Sequence, residues 1–183
     1  KAENPYTPAA YAWPSSMPAD IQAELRSKLQ RLMTLLKIGT GVFNIETRQG
    51  TDGRAYIMEC TPRGGGNRLS EVLEMASGTK LVQNAVRASV GLPVDDMADP
   101  VYEGHWAEII LHSDVDGAFS ELHIDPALRA AVKEVDLWVK PGDPVERFSG
   151  ANKAIGTLVL NFPDRETLEK YMSDDSWYQV IVS

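Results

Sequence analysis

Two glutamates, Glu46 and Glu59, flank a turn-forming stretch, Gln49-Gly50-Thr51-Asp52-Gly53. Asp-Gly is the strongest two-residue hairpin signal, because a type I′ turn needs positive φ at both central residues. With Asp52-Gly53 as the loop, Thr51 pairs with Arg54, Glu46 falls directly opposite Glu59, and Asn44 falls opposite Thr61. Strand alternation then puts these four side chains on one face with Val42. Phe43, Ile45, Tyr56 and Met58 take the other face as a core-facing set. Carboxylates paired this way have Cβ atoms ~4.5–5.5 Å apart and repel. A shared proton, a basic partner or a divalent cation offsets that repulsion. Oxygen-only ligands on a rigid hairpin suit Mg²⁺ or Mn²⁺ better than zinc. The competing account is a solvated sheet face carrying two unrelated glutamates, which a longer loop would produce by shifting the register one residue.

Directly after the second strand comes Arg63-Gly64-Gly65-Gly66-Asn67. Glycines before a helix leave backbone N–H groups free to cradle an anion at the helix N-terminus. Beside Arg63 that reading is favoured over a plain flexible turn. The stretch is not a Walker loop, since no Gly-Lys-Ser/Thr follows. Asn67 and Arg68 stand within reach of a phosphate or substrate. His105, His112 and His123 lack metal-ligand spacing and read as core or surface residues. Cys60 reads as a small buried side chain with no base to activate it. Asp95, Asp96 and Asp99 lack the EF-hand pattern and read as a solvated joint.

The elements that must position these residues follow from periodicity. Ile21, Leu25, Leu29, Leu32 and Leu36 make one apolar stripe, predicting a helix over 20–37 with Asp20 as cap and Gly39 as stop. The hairpin strands are expected at 42–48 and 54–60, and helices at 68–77 and 79–90. Strands are expected at 105–112, 117–123, 133–139 and 154–161, and a late helix at 164–173 capped by Asp164. The Pro-rich opening, 1–19, reads as extended chain packed by its aromatics. The sequence therefore predicts an α+β fold, an antiparallel sheet flanked by helices, with a joint near 94–100. That divides the chain into 1–100, carrying the hairpin, and a strand-rich lobe, 101–183.

The 183 residues suffice for a real hydrophobic core, and 43% of them are hydrophobic. No apolar run approaches the ~18–20 residues of a membrane span. A net charge of −8 argues against a nucleic-acid footprint. One cysteine excludes an internal disulfide and suits a reducing, cytoplasmic setting.

The runs Gly41-Val42-Phe43-Asn44-Ile45-Glu46 and Met58-Glu59-Cys60-Thr61-Pro62-Arg63 resemble the metal-binding hairpin of the ATP-grasp superfamily. Biotin carboxylase, the carbamoyl phosphate synthetase large subunit, the formate-dependent purine transformylase and the amino-acid ligases belong to it. The resemblance covers about the whole chain and is specific over 41–78. It implies that Glu46 binds one Mg²⁺, that Glu59 bridges two, and that Thr61 stands where the family usually has an Asn for the second metal. It implies that Arg63 holds the phosphates of ATP and acts on the transferring group, and the glycine-turn reading adds Gly64, Gly65 and Asn67 to that cradle. The implied activity is that of a carboxylate-amine ligase of which this chain is the C-terminal portion, with small carboxylate and amine substrates. The adenine pocket, a phosphate-binding Lys and a flexible Gly-rich loop would come from an N-terminal lobe on the same or another chain. The full-length parent would be the enzyme and this chain alone inactive. Two other outcomes stay open: a carboxylase-like role using bicarbonate, and a non-catalytic module serving dimerisation or ligand binding.

Overall fold

The computed structural model describes residues 4–95 and 99–183, so Asp96 of the acidic joint lies outside the described residues. The chain divides into two compact units. One is Ser15–Val101; the other joins the N-terminal segment up to Pro14 to Tyr102–Ser183. The hairpin unit is thus inserted between the first strand of the C-terminal unit and the rest of it.

In the hairpin unit, helix α1 (Ala19–Leu35) is followed by strands β2 (Asn44–Gln49) and β3 (Ala55–Thr61) and helices α2 (Leu69–Ser77) and α3 (Leu81–Ser89). The helix α1 starts after Pro18, not Asp20. Pro18 has no side-chain capping bond, and Asp20 sits in the first turn, where a carboxylate favours the positive end of the helix. The helix ends at Leu35 with Leu36 as its cap and Lys37 in the left-handed region, two residues short of Gly39. Its side is fixed to β3 by Lys28, whose Nζ donates to the Ala55 carbonyl at 2.6 Å and pairs with Glu24 at 2.6 Å. Ala55 itself is 1% exposed. In the helical pair, Val72 and Ala76 are buried on α2, and the buried Asn84 of α3 accepts the Asp95 N–H at 3.1 Å.

The C-terminal unit is built on two antiparallel sheets. Strand β1 (Ala10–Trp13) edges β4 (His105–His112), which pairs with β8 (Ala154–Phe162), and β8 pairs with β6 (Val132–Leu137). The second sheet has the order β7 (Pro144–Val145), β5 (Gly117–Ile124), β9 (Tyr178–Val182). Central strands β4 and β8 are buried almost end to end and share one core face, Ala107, Ile109 and Leu111 with Leu158, Leu160 and Phe162, while the polar Glu108 and Thr157 are buried as well. Helix α4 (Arg165–Ser173) starts where expected, with Asp164 Oδ1 accepting the Thr167 N–H at 2.7 Å, and its Leu168 reaches the same core with Trp177. The architecture is mixed helix and antiparallel sheet, as the sequence predicts. The strands β1, β7 and β9 are additions that the sequence did not announce.

Burial pushes the Tyr178 phenol up from 10.0 to about 12, and the Asp175 and Asp114 carboxylates add to the shift. A raised pKa means the folded state favours the protonated phenol, so this stabilisation is complete below the unfolded value near 10. It is lost as pH rises toward 12. Urea unfolding between pH 9 and pH 12 is expected to show a stability loss that Tyr178→Phe reduces, since the Tyr56 and Tyr102 phenols are raised as well; an unchanged profile in the variant would exclude Tyr178 as a source.

Candidate functional site

Glu46 and Glu59 are paired across β2 and β3, and Asn44 faces Thr61. This is the expected register, reached by two departures that cancel. The loop is longer than Asp52-Gly53. Gly50 donates to the Arg54 carbonyl at 2.9 Å, Gly53 donates back to the Gly50 carbonyl at 2.9 Å, and only Gly53, at φ 78°, is left-handed. That is a three-residue loop, Thr51-Asp52-Gly53, ending in a left-handed glycine. It sets Gln49 against Ala55 and Thr47 against Ile57, one residue off the expected pairing. A β-bulge then places Met58 as an extra residue in β3 and restores the alignment at Glu46 and Glu59.

The bulge also corrects the face assignment. Parity on the loop side of Met58 is reversed, so Tyr56 shares a face with Arg48 rather than with Ile45. Tyr56 is 42% and Met58 62% exposed, and neither belongs to the core-facing set. The Tyr56 hydroxyl donates to Asp52 at 2.6 Å and, before the Arg54 N–H, holds that carboxyl below the usual range. On the other face, Ile45 and Thr47 line a 530 Å³ groove with Leu25, Leu29 and Met33 of α1. Cys60 is half-buried opposite Ile45, away from the glutamates.

On the chemical face, the repulsion between the glutamates is met partly by a basic neighbour. Arg48 Nη2 bonds Glu46 Oε1 at 2.8 Å. The Thr61 hydroxyl donates to the Asn44 main-chain carbonyl at 3.2 Å, so it braces the strand pair. Asn44 is half-buried, and its carboxamide oxygen lies toward the glycines. A Cβ on Gly65 would lie 3.2 Å from Asn44 Oδ1 and 2.8 Å from the Leu69 side chain, which requires glycine there. Gly64 is similarly close to Ser70 Oγ. Arg63 is exposed, its Nη1 donating to the Gly64 carbonyl at 2.8 Å. Asn67 and Arg68 are both left-handed, and Arg68 caps α2 without a side-chain capping bond while its Nε bonds Glu71 at 2.7 Å. The hairpin thus delivers carboxylate and carboxamide oxygens, and the next residues deliver a guanidinium and a close-packed glycine turn.

The donor set is all oxygen, which fits a hard divalent cation. Among the described residues no three or more His, Cys, Asp or Glu side chains gather as a metal group. Any ion here needs Asn44, a phosphate or water to complete its shell. The histidines are dispersed: His112 is 3% exposed with Nδ1 2.9 Å from the Ile110 carbonyl, and His123 is exposed. At the acidic joint, Asp99 pairs with Arg26 at 2.6 Å and Asp95 with Arg87 at 3.9 Å.

No family model matches the chain. It is 29% identical over 152 residues to the carbamoyl phosphate synthase large chain of Halomonas eurihalina, covering 80% of this chain and 13% of that one. The L-amino acid ligase from Bacillus licheniformis superimposes with a TM-score of 0.79 at 17% identity, over 97% of this chain and 45% of that chain. The biotin carboxylase domain dimer of the Hydrogenobacter thermophilus 2-oxoglutarate carboxylase, in complex with MgADP, ADP and bicarbonate, does so with a TM-score of 0.68 at 16% identity. That match covers 95% of this chain and 39% of that chain. The chain carries part of the ATP-grasp fold. It spans less than half the length of each of these relatives. Within the ATP-grasp fold the Glu46–Glu59 hairpin and the Arg63 turn are contiguous in sequence and in space. No helix of the described residues is long and apolar enough to cross a membrane.

Proposed function

We propose that this chain is the metal- and phosphate-binding part of an ATP-dependent ligase that activates a carboxylate as an acyl phosphate for attack by an amine. The carrying observation is Glu59 facing Glu46, with Asn44 beside them, on a hairpin running into Arg63 and the glycine turn. Glu59 and Asn44 would hold Mg²⁺ or Mn²⁺, with Glu46 held back by Arg48 until a cation competes for it. Bound there, the ion would supply charge neutralisation for a phosphoryl group. Arg63 leaves the Gly64 carbonyl to meet phosphate oxygens, and the backbone at Gly64, Gly65 and Asn67 lines them. Thr61 braces Asn44 and stands ready as a weaker oxygen ligand for a second ion. The adenine site belongs to a preceding lobe, which would lie along the open edge of β2 and fill the groove beside α1. The setting is the cytoplasm, and the complete enzyme is compatible with a homodimer.

A bicarbonate-using enzyme is the second reading, favoured by the likeness to a carbamoyl phosphate synthase chain. Bicarbonate-stimulated ATP hydrolysis by the full-length protein would separate it from an amino-acid ligase.

The ligand assignment is tested by Mn²⁺ titration of the 183-residue chain, followed by electron paramagnetic resonance. Glu59→Gln and Asn44→Ala are each expected to weaken binding at least the ~10-fold that loss of even an outer-shell partner costs. Glu46→Gln is expected to do less, because that carboxylate already has Arg48. Equal binding by wild type and Glu59→Gln would refute the metal site; dependence on Glu46 but not Asn44 would refute only the choice of partner.

A further inference from the structure

In the C-terminal unit, β5 is paired along its whole length on one edge only. On the β9 side, Ala118 exchanges bonds with Ser183, and the Asp125 N–H reaches the Trp177 carbonyl at 2.8 Å. A bulge lies between Phe119 and Glu121. Counting back from Asp125, Glu121 and His123 direct their backbone groups at β9, and Leu122 and Ile124 direct theirs at the opposite edge. That opposite edge is covered only at its start, where β7 pairs with Gly117 and Ala118 and Phe119 bonds the 142–143 turn. Among the described residues no strand pairs with it at Leu122 or Ile124. Beside it runs a 390 Å³ groove lined by Val135, Leu137 and Val139, with Lys140 and Pro141 also in its wall.

We propose that this edge of β5 accepts an extended polypeptide segment in which apolar and basic residues alternate. The backbone of the incoming strand would bond the N–H and C=O groups of Leu122 and Ile124, adding a strand to the β7-β5-β9 sheet. Its inward side chains would cover Leu122, Ile124 and the groove. Its outward side chains would stand opposite Glu121, His123 and Asp125, a row with two carboxylates. Charge decides the occupant. In the antiparallel register that engages both residues of each copy, Leu122 meets Ile124 of the other copy and Glu121 stands opposite Asp125 on both sides. Like charges directly opposite are unfavourable in a ladder. A basic strand meets the same row with attraction.

The test is titration of the ¹⁵N-labelled full chain with capped Lys-Val-Lys-Val-Lys, followed by amide chemical shifts. Expected are shifts centred on Leu122 and Ile124, loss of binding when the peptide's edge-facing amide is N-methylated, and about threefold weaker binding to Glu121→Lys, the scale of one reversed cross-strand pair. Capped Glu-Val-Glu-Val-Glu is expected not to bind. Equal binding of the two peptides, or shifts elsewhere, would overturn the proposal. So would broadening of the Leu122 and Ile124 amides with protein concentration alone, which would mark a second copy on this edge.

Discussion

Glu59→Ala is expected to lower ATP-dependent turnover of the full-length protein by about 10³-fold while leaving the fold intact. Removing one fixed electrostatic partner from a reacting centre costs about 10²–10³ in rate, and Glu59 is asked to hold the ion as well as to face the phosphoryl group. Stability moves little, because Glu59 is exposed and makes no hydrogen bond or ion pair among the described residues. Its loss also removes a like-charge pair with Glu46, worth roughly 0.2–1 kcal/mol in the opposite direction. Urea midpoints equal to wild type alongside the lost turnover are the expected pair of results. Turnover within a few-fold of wild type would place the metal ligands elsewhere. Unfolding of the variant would assign Glu59 to the structure rather than to the chemistry.

The second large effect concerns the 183-residue chain by itself, which is expected neither to hydrolyse ATP nor to bind it tightly. Phosphoryl transfer is positioning and charge neutralisation, and it needs the adenine, the phosphates and the metal held in one geometry. The site described above comprises an acidic hairpin, Asn44, Arg63 and a glycine turn. Mg²⁺ keeps several waters and takes further ligands from substrate phosphates, so a carboxylate site without bound nucleotide holds it weakly. Calorimetry with Mg-ATP, repeated after adding a preceding ATP-grasp lobe, is expected to give heat only in the second case. Tight binding in the first would mean a nucleotide site outside the hairpin region.

The hairpin was legible in the sequence because Asp52-Gly53 and two glutamates constrain a short span, yet the prediction succeeded for an incomplete reason. A three-residue loop shifted the pairing and the bulge at Met58 shifted it back. A bulge leaves no compositional mark when the extra residue is an ordinary methionine, so Tyr56 and Met58 were assigned to the wrong side. Asn44, two residues before Glu46 and opposite Thr61, was legible on the same face from strand alternation alone. The central strands β4 and β8 were legible as apolar-rich stretches, although each carries a buried polar residue, Glu108 and Thr157. The four residues of β1 lie among prolines, β7 is two residues long, and β9 follows an acidic turn, so none carries a periodicity that a sequence can display. Their places are set by partners distant in the chain.

Strand β1 has a consequence for how the molecule is made. Ala10–Trp13 emerges from the ribosome long before its partner, since Trp13 pairs with Trp106 and Ala10 with Ile109. At ~5–20 residues per second, the wait is on the order of 5–20 s. Throughout that time the inserted segment Ser15–Val101 is being synthesised and can take up its own contacts. The nascent chain therefore carries a waiting edge strand, whose two aromatics, Tyr11 and Trp13, face a crowded environment without the sheet that later receives them. Translation speed across the insertion sets how long that strand waits for its partner.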